Sequence, residues 1–371
     1  MLYVRPALLT IVTLALLSVS FAVTGQTPAP KPTATPKVDD DIIKVESRLV
    51  VVPASVTDAN GQPVLGLGIP DFRISEESKP QKIEAVSNAE AVPLEIALLF
   101  DISASTDAMF SFEQNTAASF LSDVMRANDR ATVFTVGQAP VMVQARDTAE
   151  RSASVIRNIR PTKEQTAFYD TVRAAAEYLK KNAPQGSRKV IVIISDGEDT
   201  SSEGVVRAIW NAERKIADGL AYDKLRELRV RARDEAKVAE QTKVLKSLQD
   251  ADTVFYSINP AGSSYTLNQI SVFGQQNMQR FADETGGTAF LPKLLPTDAK
   301  DGFQNSNNLR SNQALLERIF RQLGNELRSQ YLIQYYSDAD FPLNRFVKLD
   351  VSLTAKPALR IRARQGYFVK N

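Results

Sequence analysis

Apolar residues in the middle of the chain form short continuous runs that are separated by longer amphipathic stretches. The runs at 96–100 and 190–194 consist only of Ile, Leu, Val, Ala and Phe, which is typical of strands buried on both faces of a parallel sheet. The whole pattern predicts strands at 94–100, 131–136, 141–144, 189–194, 253–258 and 288–291, and helices between them that include 106–126, 167–182 and 276–284. This alternation predicts an α/β domain over residues 93–296 with a doubly wound, mostly parallel sheet.

The segments on either side of this domain show the period-two alternation of half-buried strands. Residues 45–90 have several such runs and an Asn60-Gly61 turn signal. After a polar loop expected over 297–311, residues 312–371 begin with a predicted helix, and the runs that follow are 331–335, 345–351 and 359–363. Neither segment is large enough to bury one face of its own sheet, whereas together they supply about seven or eight strands. We therefore expect one β-sandwich into which the α/β domain is inserted, with two separate small β modules as the alternative.

Residues 201–250 form an unusually long connection between two sheet strands, because such a connection needs only about 12 residues. Leu and Ala recur in it at spacings of three and four; these residues are Leu225, Leu228, Ala232, Ala236 and Ala239. Such a stripe is typical of an amphipathic helix, and we expect a helical hairpin or arm. It is either a solvated long helix that covers a sheet edge or an arm that binds a partner protein.

The N-terminal residues have the pattern of an export signal. Arg5 supplies one positive charge before a largely apolar stretch over 7–23, which predicts a signal peptide over residues 1–25. The alternative is a retained single-pass anchor facing outside the cytoplasm, because the stretch is only slightly short for a bilayer span. Residues 26–44 are rich in Pro and Thr and predict an extended tether. The protein is therefore expected to be exported, either periplasmic or secreted.

The composition excludes several classes of function. The 371 residues are 43% hydrophobic and 24% charged with a net charge of +2, so that no nucleic-acid partner is expected. The chain contains no His and no Cys, which excludes a Ser-His or Cys-His nucleophile pair, a disulfide, a lipidated cysteine and the usual zinc sites. An enzyme would have to rely on Asp, Glu, Lys or hydroxyl groups.

Five oxygen-bearing side chains are expected to converge at one edge of the central sheet. They are Asp101, Ser103, Ser105, Thr166 and Asp196. The first three directly follow the strand at 94–100, the last follows the strand at 189–194, and the threonine opens a helix. Ligands bind beyond the carboxyl ends of the strands in open α/β sheets, and carboxylates with hydroxyls are the oxygen ligands that Mg²⁺ or Mn²⁺ prefers. The sequence therefore predicts a divalent-cation site.

The Asp-x-Ser-x-Ser segment at 101–105, together with Thr166 and Asp196, resembles the metal-ion-dependent adhesion site (MIDAS) of von Willebrand factor type A (VWA) domains. Ala104 and Thr106 stand where that family usually has Gly and Met. Further segments resemble the bacterial VWFA-related proteins; they are 58–64, 71–74, 81–84, 166–170, 195–199, 284–287, 326–331 and 362–367. The resemblance implies a Rossmann-like VWA domain and covers nearly everything from about residue 45 onward.

The same resemblance implies a mode of binding. The two aspartates, two serines and one threonine would surround Mg²⁺ or Mn²⁺, with the hydroxyls ligating directly or through water. An acidic side chain of another protein would then complete the octahedron that Mg²⁺ demands. The expected function is a non-enzymatic adhesion or assembly module with a metal-bridged partner carboxylate. The alternative is a metal-independent scaffold or complex subunit that acts through the insertion at 201–250.

Other residues near these motifs are interpreted as structural. Glu198 and Asp199 are expected to be solvated loop acids, and Asp107 and Asp170 to be helix-start charges. Trp210 is expected to lie in the core. An enzymatic reading is disfavoured because magnesium phosphatases typically carry a second aspartate two residues after the first, and this chain has a serine there. No Gly-rich phosphate loop with Lys is present either.

Overall fold

The strands of the computed structural model form one six-stranded and two four-stranded sheets. The structure describes residues 48–103, 107–162, 164–214, 221–260, 269–296, 301–354 and 356–369, without the side chains of 107–109 and 269–271. The predicted signal peptide and tether therefore lie outside the described residues. Within those residues, no helix has the length and apolar character that a membrane span requires.

The strands and helices occur along the chain in the order that the sequence predicts. The strands are β1 (Arg48–Thr57), β2 (Phe72–Glu76), β3 (Lys79–Gln81), β4 (Ile83–Asn88), β5 (Leu94–Asp101), β6 (Arg130–Val136), β7 (Pro140–Asp147), β8 (Arg188–Ile194), β9 (Thr253–Ile258), β10 (Ala289–Phe290), β11 (Tyr331–Ser337), β12 (Phe346–Leu353), β13 (Arg360–Ala363) and β14 (Gly366–Phe368). The helices are α1 (Asp107–Val124), α2 (Ala149–Arg157), α3 (Phe168–Asn182), α4 (Glu203–Arg214), α5 (Tyr222–Asp250), α6 (Gln269–Thr285) and α7 (Gly302–Arg328).

The central sheet has the strand order β10-β9-β8-β5-β6-β7, and only β7 pairs antiparallel. Every residue of β5 is buried, because helices cover both faces of the sheet. Leu98 and Phe100 pack with α1, α2 and α7, whereas Ala97 and Leu99 pack with α3, α5 and α6. The predicted doubly wound, mostly parallel sheet is confirmed.

The two smaller sheets combine strands from both ends of the described chain. Their orders are β13-β1-β11-β4 and β14-β12-β2-β3. In the first sheet Val52 of β1 lies opposite Ile333 of β11, and in the second Ile74 of β2 lies opposite Val351 of β12. The buried faces of both sheets share one hydrophobic core. The predicted sandwich is therefore confirmed, and the alternative of two separate β modules is wrong.

The start of α7 differs from the prediction. The polar loop expected over 297–311 is helical from Gly302 onward, while 297–300 lie outside the described residues. Asp301 caps this helix, since its Oδ1 accepts a hydrogen bond from the amide of Phe303 at 2.9 Å. The first helical residues are largely exposed, and the Phe303 side chain is 76% exposed. Because the first turns of α7 are largely exposed, their sequence carries no apolar stripe that would predict a helix.

The insertion forms a hairpin of two packed helices, α4 and α5. The N-terminal part of α5 is largely exposed, whereas Val244 and Leu248 near its C-terminus pack in the core with α3 and α6. The predicted stripe is only partly correct, because Leu228 and Ala239 are exposed.

Trp210 of α4 is 59% exposed, with the Arg214 guanidinium 5.1 Å from its ring centre. Its predicted place in the core is wrong, because α4 enters the core through Val205, with Ala208 and Ile209 packed against the same cluster, and Trp210 lies outside that buried side.

A buried hydrogen-bond network in the sandwich core supplies a stability prediction. Glu76 is 2% exposed, and its Oε1 accepts hydrogen bonds from the hydroxyls of Tyr335 at 2.8 Å and Tyr367 at 2.6 Å. We expect Tyr335→Phe to lower the free energy of unfolding by about 1–3 kcal/mol, because a buried carboxylate loses a donor. Tyr336→Phe, at a 49% exposed neighbour, is the control and should cost under about 0.5 kcal/mol. Equal urea midpoints for the two variants would contradict this.

Candidate metal centre

The candidate site is built on two neighbouring parallel strands, β5 and β8. Phe100 lies opposite Ile194, so that Asp101, the last residue of β5, and Ser195, directly after β8, lie side by side. The hydroxyl of Ser195 donates a hydrogen bond to Asp101 Oδ2 at 2.6 Å. The carboxyl ends of two adjacent strands are thereby joined at the edge where α/β proteins bind ligands.

The Asp101 carboxylate also organises the loop that follows β5. Its Oδ1 accepts hydrogen bonds from the amide and the hydroxyl of Ser103, at 2.9 and 2.6 Å. Asp101 is 8% exposed, so that the two residues form a buried to half-buried pair at the carboxyl end of β5. Ser105, the third predicted ligand from this segment, lies outside the described residues.

Asp196 lies in a tight turn directly after β8. Its Oδ1 accepts a hydrogen bond from the Glu198 amide at 2.9 Å, and the Gly197 amide donates to Ser195 Oγ at 3.0 Å. Gly197 has a φ of 77°, a left-handed conformation that glycine adopts without steric cost. Ser195 therefore contacts both the Asp101 carboxylate and the turn that carries Asp196.

Thr166 lies in the loop before α3 and is 6% exposed. Its amide donates to Thr200 Oγ1 at 2.9 Å, and its carbonyl accepts from the amides of Thr200 and Ser201 at 2.8 and 3.1 Å. These bonds hold the Thr166 loop against the segment that follows Asp196. Of the predicted residues, the structure thus places Asp101 and Ser103 in direct contact and ties the loops of Asp196 and Thr166 to the same edge.

Burial dominates the electrostatics of the two aspartates. It raises the pKa of Asp101 above its ordinary value, while hydrogen bonds from Ser103 and Ser195 act in the opposite direction. Burial also raises the pKa of Asp196 to about 6, and the charges of Asp101 and Glu198 add to this shift. The site therefore concentrates negative charge in a poorly solvated place, which disfavours ionisation of its carboxyl groups.

Three polar residues near the site were missed or misread in the sequence. Ser195 falls within the 195–199 segment of the resemblance, but the sequence analysis assigns it no role. Asp199, predicted to be a solvated acid, is 2% exposed, and its Oδ2 accepts from the Tyr169 amide at 3.1 Å; burial raises its pKa to about 6. The prediction for Asp199 is therefore wrong, because the loop folds inward onto α3.

Glu113 is the third of these residues. It is 6% exposed on α1, and burial, with a contribution from the charge of Asp101, raises its pKa to about 8. A signal was present in the sequence, since the buried Phe110, Ala117 and Leu121 lie three, four and eight residues from it. That spacing places Glu113 on the inward face of the helix.

The donor set fits a small divalent cation. Carboxylate and hydroxyl oxygens are hard ligands, and a cation would offset the negative charge that Asp101 and Asp196 concentrate. Within the described ranges, no three Asp, Glu, His or Cys side chains are grouped as a metal site. Such a cation would therefore depend on the hydroxyls of Ser103 and Thr166 as well as on the carboxylates.

Comparison with protein families gives one domain assignment. The family model described as von Willebrand factor type A domain matches residues 96–198, a range that includes all five predicted ligands. The predicted resemblance to VWA domains is confirmed for this part of the chain. A search of curated proteins found no match.

Several solved structures show a distant likeness. An aerotolerance-related membrane protein of Bacteroides fragilis is 15% identical, with 62% of this chain and 99% of that chain covered and a TM-score of 0.32. Proximal thread matrix protein 1 of the mussel byssus, with a zinc-occupied MIDAS motif, is 12% identical over 68% of this chain and 50% of that chain, with a TM-score of 0.40. The PilB minor pilin of Streptococcus sanguinis is 15% identical over 64% and 62%, with a TM-score of 0.39. This chain thus spans about half of the mussel protein and under two thirds of the pilin.

Proposed function

We propose that this chain, which carries a von Willebrand factor type A domain, binds a partner protein through a divalent cation held at the Asp101–Asp196 edge. The observation that carries the proposal is the Ser195 bridge, which joins the ends of β5 and β8 where Asp101 and Asp196 emerge. Mg²⁺ or Mn²⁺ would be held by Asp101, Ser103, Ser105, Thr166 and Asp196. When bound, the cation supplies a coordination position that takes a carboxylate of the partner.

The residues of the chain have separate parts in this function. Asp101 and Asp196 supply negative charge, while Ser195 keeps the two strand ends in register. The bonds between Thr166 and Thr200 hold the loop of Thr166 against the segment that follows Asp196, so that this loop needs little further ordering when a cation binds. Preformed ligands lower the entropic cost of binding a cation.

A peptide library displayed on phage tests this function directly. Selection on the immobilised full chain in Mg²⁺ should enrich peptides that share an Asp or Glu, and a chelator should release them. The same peptides should not bind Asp101→Ala protein. Enriched peptides that lack acidic residues, or that stay bound in chelator, would contradict the proposal.

A second candidate function is a metal-independent scaffold that acts through the α4–α5 hairpin. The observation that favours it is the exposure of large apolar side chains there: Val206 is 47%, Trp210 59% and Tyr222 73% exposed. In the library experiment this function predicts peptides that tolerate chelator and are lost with Trp210→Ala. The same selection therefore separates the two candidates.

The proposal includes a non-enzymatic role outside the cytoplasm. The chain lacks His and Cys, so that a carboxylate, a lysine or a hydroxyl would have to carry any chemistry. Steady turnover of a phosphate ester such as p-nitrophenyl phosphate, lost in Asp101→Ala, would contradict a purely binding role.

Export is supported by the charge and hydropathy of residues 1–25. N-terminal sequencing of the mature protein tests cleavage against anchoring.

Proton competition gives a pH prediction for the metal site. The pKa of Asp196 is raised to about 6, and a protonated carboxyl group does not ligate a cation. We expect Mg²⁺ affinity to fall as the pH drops through about 6, by up to about tenfold per pH unit for each protonated ligand carboxyl group, since each such proton must be displaced. Calorimetric titrations across this range measure the effect. An affinity that does not change between about pH 5 and pH 8 would contradict the assignment of Asp196 as a ligand.

A further inference from the structure

Helix α6 touches the backbone of the turn that carries Asp196. A Cβ added to Gly274 would lie 2.6 Å from the carbonyl carbon and oxygen of Gly197, and 2.9 Å from the Asp196 carbonyl oxygen. A Cβ added to Gly197 would in turn lie 2.6 Å from the Gly274 carbonyl oxygen. Real Cβ atoms essentially never approach other heavy atoms so closely. The helix and the turn therefore meet backbone to backbone, with no room for a methyl group.

The turn needs such a support because its shape sets the place of the carboxylate. Gly197 has a left-handed φ of 77°, and the two hydrogen bonds that close the turn run through side chains, from Gly197 N to Ser195 Oγ and from Glu198 N to Asp196 Oδ1. A shift of the Gly197 backbone would therefore move the Asp196 side chain directly.

Helix α6 is anchored firmly enough to act as a support. Phe281 stacks on Phe168 at 6.5 Å and meets Phe255 edge-on at 5.6 Å. One turn nearer to the site, the side chain of Asn277 donates to the Tyr169 hydroxyl at 2.6 Å. Residues 274, 277 and 281 lie on one face of a helix at this spacing. The face that holds α6 in the core is thus the face that meets the turn.

We propose that Gly274 is a positioning residue for Asp196, so that the contact of α6 with the turn sets the geometry of the metal site. This inference rests on the proposed function. A glycine inside a helix is less favourable than alanine, so that this position is costly for the helix itself. The close approach to Gly197 gives that cost a structural reason. Because α6 cannot retreat from its anchors, an added methyl group would displace the turn and leave the helix in place.

Titration of Mg²⁺ into three single variants of the full chain tests the proposal. Gly274→Ala should weaken Mg²⁺ binding by at least about tenfold, the loss typical of residues that orient a metal ligand. Gly302→Ala is the matched control, because a Cβ there meets nothing within 4 Å. Ala282→Gly removes a fully buried methyl group of the same helix, about two turns from Gly274, without crowding the turn. It should lower the unfolding midpoint while Mg²⁺ affinity stays within about twofold of wild type.

Hydrogen exchange in metal-free protein gives a second readout that does not depend on metal binding. The amides of Gly197 and Glu198 should exchange at least about tenfold faster in Gly274→Ala than in wild type or Gly302→Ala, because the turn opens locally. If wild type binds no Mg²⁺, the proposed function fails while the exchange rates still decide whether α6 orders the turn. Unchanged exchange, or a loss of Mg²⁺ affinity that merely follows the loss of stability in both Gly274→Ala and Ala282→Gly, would overturn the inference.

Discussion

Asp101→Ala protein is expected to lose Mg²⁺ and Mn²⁺ binding, with a dissociation constant at least about 100-fold weaker than that of wild type. Altering a residue that only orients a ligand costs about 10–100-fold in metal affinity, and Asp101 is placed to be a ligand itself. Its carboxylate also accepts the hydrogen bonds of Ser103 and Ser195, so that its removal frees both neighbours. Isothermal titration calorimetry measures the loss.

The control for this result is Asp350→Ala, which removes the same charge from an exposed position on β12 of the sandwich. It should bind the cation as wild type does. Loss in both variants would indicate a general effect of charge. Retention of affinity in Asp101→Ala would place the cation elsewhere on the molecule.

Gly287→Ala is expected to lower the free energy of unfolding by about 3 kcal/mol, the upper part of the range for overpacked cores. A Cβ on Gly287 would lie 2.1 Å from the carbonyl oxygen of Phe255. Neither side can yield easily, because the amide of Phe255 is bonded to Thr285 Oγ1 at 2.9 Å and the amide of Gly287 to the Ala282 carbonyl at 2.9 Å. Urea denaturation monitored by circular dichroism measures the change.

Two further glycines separate crowding from backbone strain. Gly302→Ala has open space and should change stability by under about 0.5 kcal/mol. Gly186→Ala also has open space, but its φ is 79°, so that a loss of about 1 kcal/mol is expected from the left-handed conformation alone. A loss for Gly287→Ala no larger than that for Gly186→Ala would contradict the crowding argument.

The central sheet was predictable because its strands are buried on both faces. Strand β9 has the predicted bounds, Thr253–Ile258, and β8 begins only one residue earlier than predicted, at Arg188. Continuous apolar runs leave little ambiguity about where such a strand lies. The sandwich followed from a different argument, namely that neither flanking segment could bury its own face.

Features that depend on packing between distant elements were not predictable in this way. The exposed start of α7 has no apolar stripe to mark it as helix. The spacing of Leu228 in the insertion is helical, but whether a stripe is buried depends on what packs against it, and this residue faces solvent. The aromatic character of Trp210 favoured the core, although the side of α4 that is buried there is that of Val205.

The location of the candidate site, at the carboxyl ends of β5 and β8, was predictable from the sequence. The contact between Asp101 and Ser103 follows from their place at and just beyond the end of β5. The roles of Ser195 and Asp199 could not be read from the sequence, because small polar residues after a strand are also common in solvated loops. Gly274 carries no side chain that could signal its contact with Gly197, and only the fold brings the two backbones together.

The most direct test of the central claim is anomalous X-ray diffraction from crystals of this protein grown with Mn²⁺. The account predicts one strong anomalous peak at the carboxyl ends of β5 and β8, about 2.1 Å from ligand oxygens, as is usual for a small octahedral cation. The side chains around it should be those of Asp101, Ser103, Ser105, Thr166 and Asp196. A Mn²⁺ peak only elsewhere on the protein, or no peak at this edge under saturating Mn²⁺, would contradict the account.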